Sequence, residues 1–230
     1  MLLALDTVAG YCSVALADAG GDILASFHED QERGHAETLI PLIGRAFRKA
    51  KTDAAALRGI VVTTGPGTFA GVRVGLSAAK ALSFAAGAKV LGLTTFETLM
   101  GLALLKHGAR LSPFVLVVLP GRGAERAAEL FARHEKQSPP WKRIAGPETL
   151  QAGRAESWLK GRNTLLFGPA AEGLQREMAG AGIRAENAWA RAEDLLRMTR
   201  FFPRARWGKS VSPFYLRPPD ARPSVIVSHG

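Results

Sequence analysis

Short apolar runs separated by turn residues open this chain, and helical spacing takes over after residue 35. Residues 2–5, 12–17 and 23–27 read as strands. Asp18-Ala-Gly-Gly-Asp22 is a turn between the last two, which predicts an antiparallel meander. Leu39, Leu42, Ile43, Ala46, Phe47 and Ala50 then recur at helical spacing, with Lys and Arg at the end where the helix dipole favours cations. Pro41, inside that pattern, predicts a kink or a first-turn position. A strand at 59–64, a helix at 69–86, a strand at 89–94 and a helix capped by Thr95 and reaching residue 106 follow. The order β-β-β-α-β-α-β-α predicts an α/β lobe over residues 1–107, with parallel strands added to an antiparallel start.

Residues 108–230 give weaker signals and form the second expected lobe. Strands at 114–119 and 127–132 precede a polar, proline-containing loop at 137–147. A strand–turn–helix at 164–179, a helix at 190–201 and an extended proline-rich tail from 203 complete the expectation. The halves share a coarse strand-then-helix organisation without a short-period repeat.

Composition narrows the class. Hydrophobic residues fill 47% of the 230 positions and charged residues 22%, which suits a packed core rather than disorder. Apolar stretches break well before the ~20 residues of a membrane span, and MLLALDT meets Asp6 too early for a signal peptide. A cytoplasmic protein with no membrane partner is the expectation. The single cysteine, Cys12, excludes an internal disulfide and a cysteine-cluster metal site. Charge is uneven: residues 1–110 carry 11 Lys/Arg against 9 Asp/Glu, and residues 111–230 carry 19 against 11. Between Arg197 and Arg222 basic residues alternate with Phe201, Phe202, Trp207, Phe214 and Tyr215. Such a stretch is either an RNA surface, with cations on phosphates and rings on bases, or a solvated basic face.

The segment TTGPGTFAGVRVG, residues 63–75, lies at a strand–helix junction. It lacks the lysine of a Walker A loop. Gly65, Gly67 and Ala70 fit a dinucleotide fingerprint on paper, but the next strand ends Leu93-Thr94-Thr95, without an acid for a ribose. Two readings stay open: an anion held at the start of the Phe69 helix, or a tight turn that only lets backbones approach. Asp6-Thr7 closes the first strand and can hold magnesium through water, or cap its own turn. His35-Ala-Glu37 lacks the partner cysteines of a zinc deaminase, and Leu39 stands where a helical chelate needs a second histidine. His35 reads as a helix-start residue or an interface contact. In the Phe69 helix, Gly71, Gly75, Ala78, Ala79, Ala85 and Ala86 form a thin face for packing on a sheet or a partner. Nucleophile–base sets and paired carboxylates do not stand out.

LLALDTVAGYCSVALAD, GHAETLIPLI and TTGPGTFAGVRVG, in that order, resemble the bacterial TsaB (YeaZ) family, and Ser212-Pro-Phe-Tyr-Leu-Arg217 resembles its C-terminal P-x-Y-L-R signature. The resemblance covers residues 1–100, thins in the middle and returns near residue 213. It implies an actin/Hsp70/sugar-kinase (ASKHA) fold of two lobes, the second degraded. It further implies a non-catalytic paralogue of TsaD, the enzyme that places threonylcarbamoyl on the tRNA adenosine beside the anticodon. TsaD holds its metal with H-x-x-x-H, where this chain has His35 and Leu39. No catalytic residue, metal or intrinsic cofactor is implied; ATP or ADP and metal belong to partner subunits. The implied partner face draws on His35, Leu39, Leu42, Ile43, Ala46, Gly71, Gly75, Ala78 and Ala79. The implied vestige of a phosphate-facing site is Asp6, Thr7, Gly65, Gly67 and Thr68. Implied partners are a TsaD-like subunit, a TsaE-like ATPase, tRNA through the complex, and a second copy when the chain is alone. A TsaC-like enzyme would supply threonylcarbamoyl-AMP.

Two departures stand out. Thr68 and Ala70 replace a frequent Ser and Thr, and Pro120-Gly-Arg-Gly-Ala-Glu-Arg126 replaces the family's Asp-Ala-Arg turn. The rival reading is an enzyme of the same fold, either an ATP-binding phosphotransferase or ATPase using Asp6 and the glycine loop, or a peptidase. The missing phosphate loop in the back half, where 120–126 has no Asp, and the lack of a nucleophile–base set weigh against it.

Overall fold

In a computed structural model, described over residues 1–31, 33–121, 123–178, 183–208 and 210–216, the chain builds the same unit twice. The first comprises β1 (Leu2–Asp6), β2 (Tyr11–Ala17), β3 (Ile23–Asp30), α1 (His35–Lys49), β4 (Gly59–Thr63), α2 (Phe69–Ala86), β5 (Lys89–Leu93) and α3 (Thr95–His107). The second comprises β6 (Phe114–Pro120), β7 (Arg126–Arg133), β8 (Trp141–Leu150), α4 (Ala152–Leu159), β9 (Thr164–Phe167), α5 (Ala171–Glu177), β10 (Arg184–Glu186) and α6 (Ala192–Met198). Strand order is β3-β2-β1-β4-β5 in one sheet and β8-β7-β6-β9-β10 in the other. In each, the first three strands pair antiparallel and the last two join parallel. This duplicated unit is the expected ASKHA architecture.

Strand alternation explains the layers. Leu3 and Leu5 of β1 point to one face with α1 and α2, while Ala4 points to the other. In β6, Leu116 and Val118 face α4 and α5, and Val115, Val117 and Leu119 face the opposite way. The inward faces of the two sheets share one core with α3 and α6, which places an apolar residue at every other strand position on both sides. The last helix of each unit packs against the other unit's sheet: α3 on β6, β7 and β9, and α6 on β1 and β2. They meet where Gly101 gives room to Met198; a Cβ at 101 would lie 2.7 Å from its sulfur.

Several expectations change. The polar loop at 137–147 gives way to β8 from Trp141 onward, whose middle is exposed and bulged, so it lacks clean alternation. Helix α4 and strand β10 are additional elements. The cap of α3 is Thr94, in a reciprocal capping box with Glu97, rather than Thr95. The second unit keeps all five strands; its reduction lies in helices of 7 or 8 residues against 13 to 18 in the first. The tail from 203 begins with a 3-10 turn, Arg204–Arg206, and then returns to the first sheet through a bridge between Gly208 and Val90.

Candidate functional site

The β1–β2 turn and the β4–α2 loop meet at one end of the first sheet. Asp6 is buried there: its Oδ1 accepts the Val8 N–H at 3.3 Å and its Oδ2 accepts the Tyr11 hydroxyl at 3.0 Å. Burial pushes its carboxyl up to about 6, against the opposing pull of the Val8 N–H and Tyr11 bonds. Tyr11 is in turn covered by the His28 ring at 5.0 Å and by Trp189, edge-on at 5.9 Å, from the segment entering α6. Its phenol is driven well above the ordinary value by burial and the adjacent Asp6. The carboxylate thus caps its own turn under an aromatic cover instead of facing solvent.

The glycine loop closes the same place from the other side. Thr68 N–H donates to the Val8 carbonyl at 2.7 Å, and the Thr7 hydroxyl donates to the Gly71 carbonyl at 2.7 Å. A Cβ at Gly67 would stand 2.2 Å from the Val8 oxygen, at Gly71 1.9 Å from the Thr7 oxygen, and at Gly75 2.5 Å from Thr7 Oγ1. Gly65 adopts φ +104°, open to glycine, with the Phe214 carbonyl where a side chain would go. The Gly65 and Pro66 carbonyls accept from Thr95 N–H and Oγ1–H at 2.8 and 2.7 Å. Thr68 Oγ1 caps α2 by accepting the Gly71 N–H. Of the two open readings of this loop, close backbone approach is the one the geometry supports. Asp6, Thr7, Gly65, Gly67 and Thr68 do come together, but around one another.

The nine residues expected at a partner face are buried against the chain's own sheet. Leu39, Leu42, Ile43 and Ala46 of α1 and Gly71, Gly75, Ala78 and Ala79 of α2 face inward. His35 turns inward too, its Nε2 2.8 Å from the Ala9 carbonyl, so it starts the helix and braces the β1–β2 turn. This corrects the expected face: the apolar stripe that reveals an amphipathic helix is the stripe the sheet consumes. What remains outside is Ile40 at 62% exposure, Phe69 at 42% and Phe84 at 93%. The detectable signal was apolar residues lying off the helical stripe. Among the described residues, α2 alone is long and apolar enough to cross a membrane by length and composition; Arg73 and Lys80 interrupt its outer face.

The aromatic residues of the tail pack against the chain itself. Phe202 is buried beside Trp141, Trp207 lies where a Gly59 side chain would be, and Tyr215 packs on Phe69 at 5.6 Å. Arg206 pairs with Glu97 at 3.0 Å, leaving Arg200 and Arg204 as exposed cations. Lys209, Arg217 and Arg222 lie outside the described residues, as does the end of the P-x-Y-L-R signature. Among the described residues no three His, Cys, Asp or Glu side chains gather as a metal site.

Comparison with known proteins agrees with this fold. The family profile described as TsaD, tRNA N6-adenosine threonylcarbamoyltransferase, matches residues 22–157. The YeaZ structure from Pseudomonas aeruginosa superposes with TM-score 0.76 at 27% identity, covering 94% of this chain and 99% of that one. A second Pseudomonas aeruginosa structure, described as similar to peptidase YEAZ, gives 0.78 at 26% identity over the same shares. The Escherichia coli tRNA threonylcarbamoyladenosine biosynthesis protein TsaB is 32% identical over 108 residues, 47% of this chain and 46% of that protein. A Pelobacter propionicus tRNA N6-adenosine threonylcarbamoyltransferase is 30% identical over 149 residues, 58% of this chain and 44% of the enzyme. The chain thus spans less than half the length of these two curated relatives. Sequence and fold converge: the chain belongs to the TsaD family and, within it, to the TsaB/YeaZ group.

Proposed function

We propose that this chain is a non-catalytic subunit that pairs with a TsaD-like enzyme in threonylcarbamoylation of the tRNA adenosine beside the anticodon. One observation carries the reading: the junction where a nucleotide-using relative would face phosphate is closed by the chain's own backbone, with Asp6 sealed under Tyr11. An Asp in that state cannot reach a magnesium ion without unpacking the turn. The catalytic metal and ATP or ADP then belong to partner subunits, including a TsaE-like ATPase. The reading implies a cytoplasmic protein that meets tRNA through the complex.

The partner face in this reading is the outer surface of α1 and α2, with Ile40, Phe69 and Phe84 as apolar anchors. Around Arg73 and Lys80 the outer face of α2 leaves Phe69, Ala81, Phe84 and Ala85 exposed, and clustered exposed apolar side chains mark an interaction surface. The same face would serve a second copy when the partner is absent. Co-purification from the source cells tests the pairing: stoichiometric recovery of a TsaD-like protein supports it. Micromolar binding and turnover of Mg-ATP by the isolated chain would support the phosphotransferase or ATPase reading instead.

A further inference from the structure

The connection between the two units, residues 108–113, is where arginines from three neighbouring strand ends converge. Arg133, closing β7, donates from Nη1 to the Ala109 and Leu111 carbonyls at 3.1 and 2.8 Å. Arg184, opening β10, donates from Nη2 to Ser112 Oγ at 2.8 Å. Arg162, two residues before β9, lies over the Phe114 ring at 5.6 Å. Arg110 sits within the connection and Lys160 at the C-cap of α4; both are exposed, as are Arg162 and Arg184. We propose that this end of the second unit is a contact surface for the sugar-phosphate backbone of RNA, so that the chain touches tRNA itself.

The charge belongs to this end and not to the repeated fold. Residues 108–114, 133–142, 160–164 and 183–185 carry seven Lys or Arg and one acid, Glu135, which Arg133 holds at 2.8 Å. The equivalent connections of the first unit, 17–23, 50–59 and 87–89, carry three of each: Lys51, Arg58 and Lys89 against Asp18, Asp22 and Asp53. Gathered cations repel one another, and a polyanion relieves that repulsion.

Spacing and chemistry agree with a nucleic-acid strand. Strands β7, β6, β9 and β10 are neighbours in that order, so Arg133 and Arg184 stand three strand spacings apart, roughly 15 Å. That length matches about four phosphates of one strand at ~3.4 Å of axis each. Arg162 and Arg184 are already positioned by Phe114 and Ser112, and a guanidinium held this way loses little freedom on meeting phosphate. None of the large exposed apolar side chains among the described residues falls in these segments, the nearest along the chain being Ile144. A lipid surface would therefore lack its apolar anchors here.

The identity of the RNA rests on the subunit reading. The test is fluorescence anisotropy of a labelled, unmodified tRNA with the full chain at about 50 and 200 mM salt. Saturable binding at the lower salt is expected, weakened at least about tenfold by Arg110→Glu/Lys160→Glu at unchanged melting temperature. The slope of log affinity against log salt should also become shallower by roughly 1.5, two phosphate contacts' worth, which a merely structural defect would not produce. Arg58→Glu/Lys89→Glu, at the equivalent end of the first unit, should bind as wild type does. Should the first double variant fail to fold, Arg110→Gln/Lys160→Gln decides in its place. No saturable binding, binding that the Arg110/Lys160 variant retains in full, equal loss in the first-unit variant, or tighter binding to vesicles of anionic lipid than to tRNA overturns the proposal. Pairing with a TsaD-like protein is titrated separately and should survive these variants; pairing without RNA binding overturns the surface alone, and RNA binding without pairing overturns the subunit reading alone.

Discussion

The two junctions, β4–α2 and β9–α5, occupy equivalent places in the duplicated unit and differ at the third residue of the helix that follows, Gly71 in one and Gly173 in the other. In the first, Gly67, Gly71 and Gly75 are glycines because Thr7 and Val8 fill the space a side chain would take. In the second, Gly173 faces open volume and two arginines line the gap. Glycine at a strand–helix junction therefore has two physical meanings, and the nearest heavy atom distinguishes them. Where that atom is the chain's own backbone, the glycine serves packing; where it is absent, it leaves room for something else.

Breaking that contrast gives the largest expected effect. Gly71→Leu drives a side chain into the Thr7 carbonyl and is expected to cost about 3 kcal/mol or more, read by urea denaturation. Gly173→Leu, with nothing closer than 3.8 Å, should leave stability unchanged. Equal loss in both would dissolve the distinction.

Each unit also buries one carboxylate, and these sharpen the comparison through pH. Asp6 is raised from 3.8 to about 6, and Glu129 of β7, held by Arg143, from 4.5 to about 7, burial being the main cause in both. A raised acid binds more protons folded than unfolded, so each favours the fold when protonated and weakens it as pH climbs from the unfolded value through the folded one. Wild-type stability should fall between about pH 4 and 7. Asp6→Asn should remove the loss below about pH 6 and gain on the order of 2 kcal/mol at pH 8, with no gain at pH 3. Thermal melts across that range check this; an Asn variant less stable at pH 8 would show the carboxylate to be needed in its charged form.

Surface changes come last. Phe84→Glu should alter stability by no more than about 0.5 kcal/mol yet weaken partner pairing at least about tenfold in a titration. Tyr215→Ala, which removes the ring on Phe69, should cost about 1 kcal/mol in the same denaturation assay.

Much of the first unit was legible because its signals are local. The run from Phe69 to Ala86 carries helix formers between glycine-containing turns, and its predicted ends match the observed ones. In β8 the signal failed because Gly146 and Pro147 interrupt a strand whose middle is solvent-facing. The exchange of α3 and α6 between sheets left no trace in periodicity, since a helix buried on several sides reads alike whichever sheet covers it. At the site, the identities of Asp6, Thr7 and the glycines were legible, but not their mutual contacts. Those depend on Val8, Tyr11 and Trp189, whose separation in sequence gives no pattern. The expected partner residues lie inside for a related reason: helical periodicity marks Leu39 and Leu42, which the sheet covers, and passes over the exposed Ile40 and Phe84.

Reconstitution tests the subunit role most directly. The chain, or its Asp6→Asn variant, is combined with the TsaD-like and TsaE-like proteins of the same cells, ATP, threonylcarbamoyl-AMP and tRNA, and modified adenosine is counted. The account predicts that product forms only when the chain is present, that Asp6→Asn supports it as well as wild type, and that the chain alone does not turn over ATP. ATP turnover by the chain alone, abolished by Asp6→Asn, would contradict it and make the buried carboxylate a catalytic group.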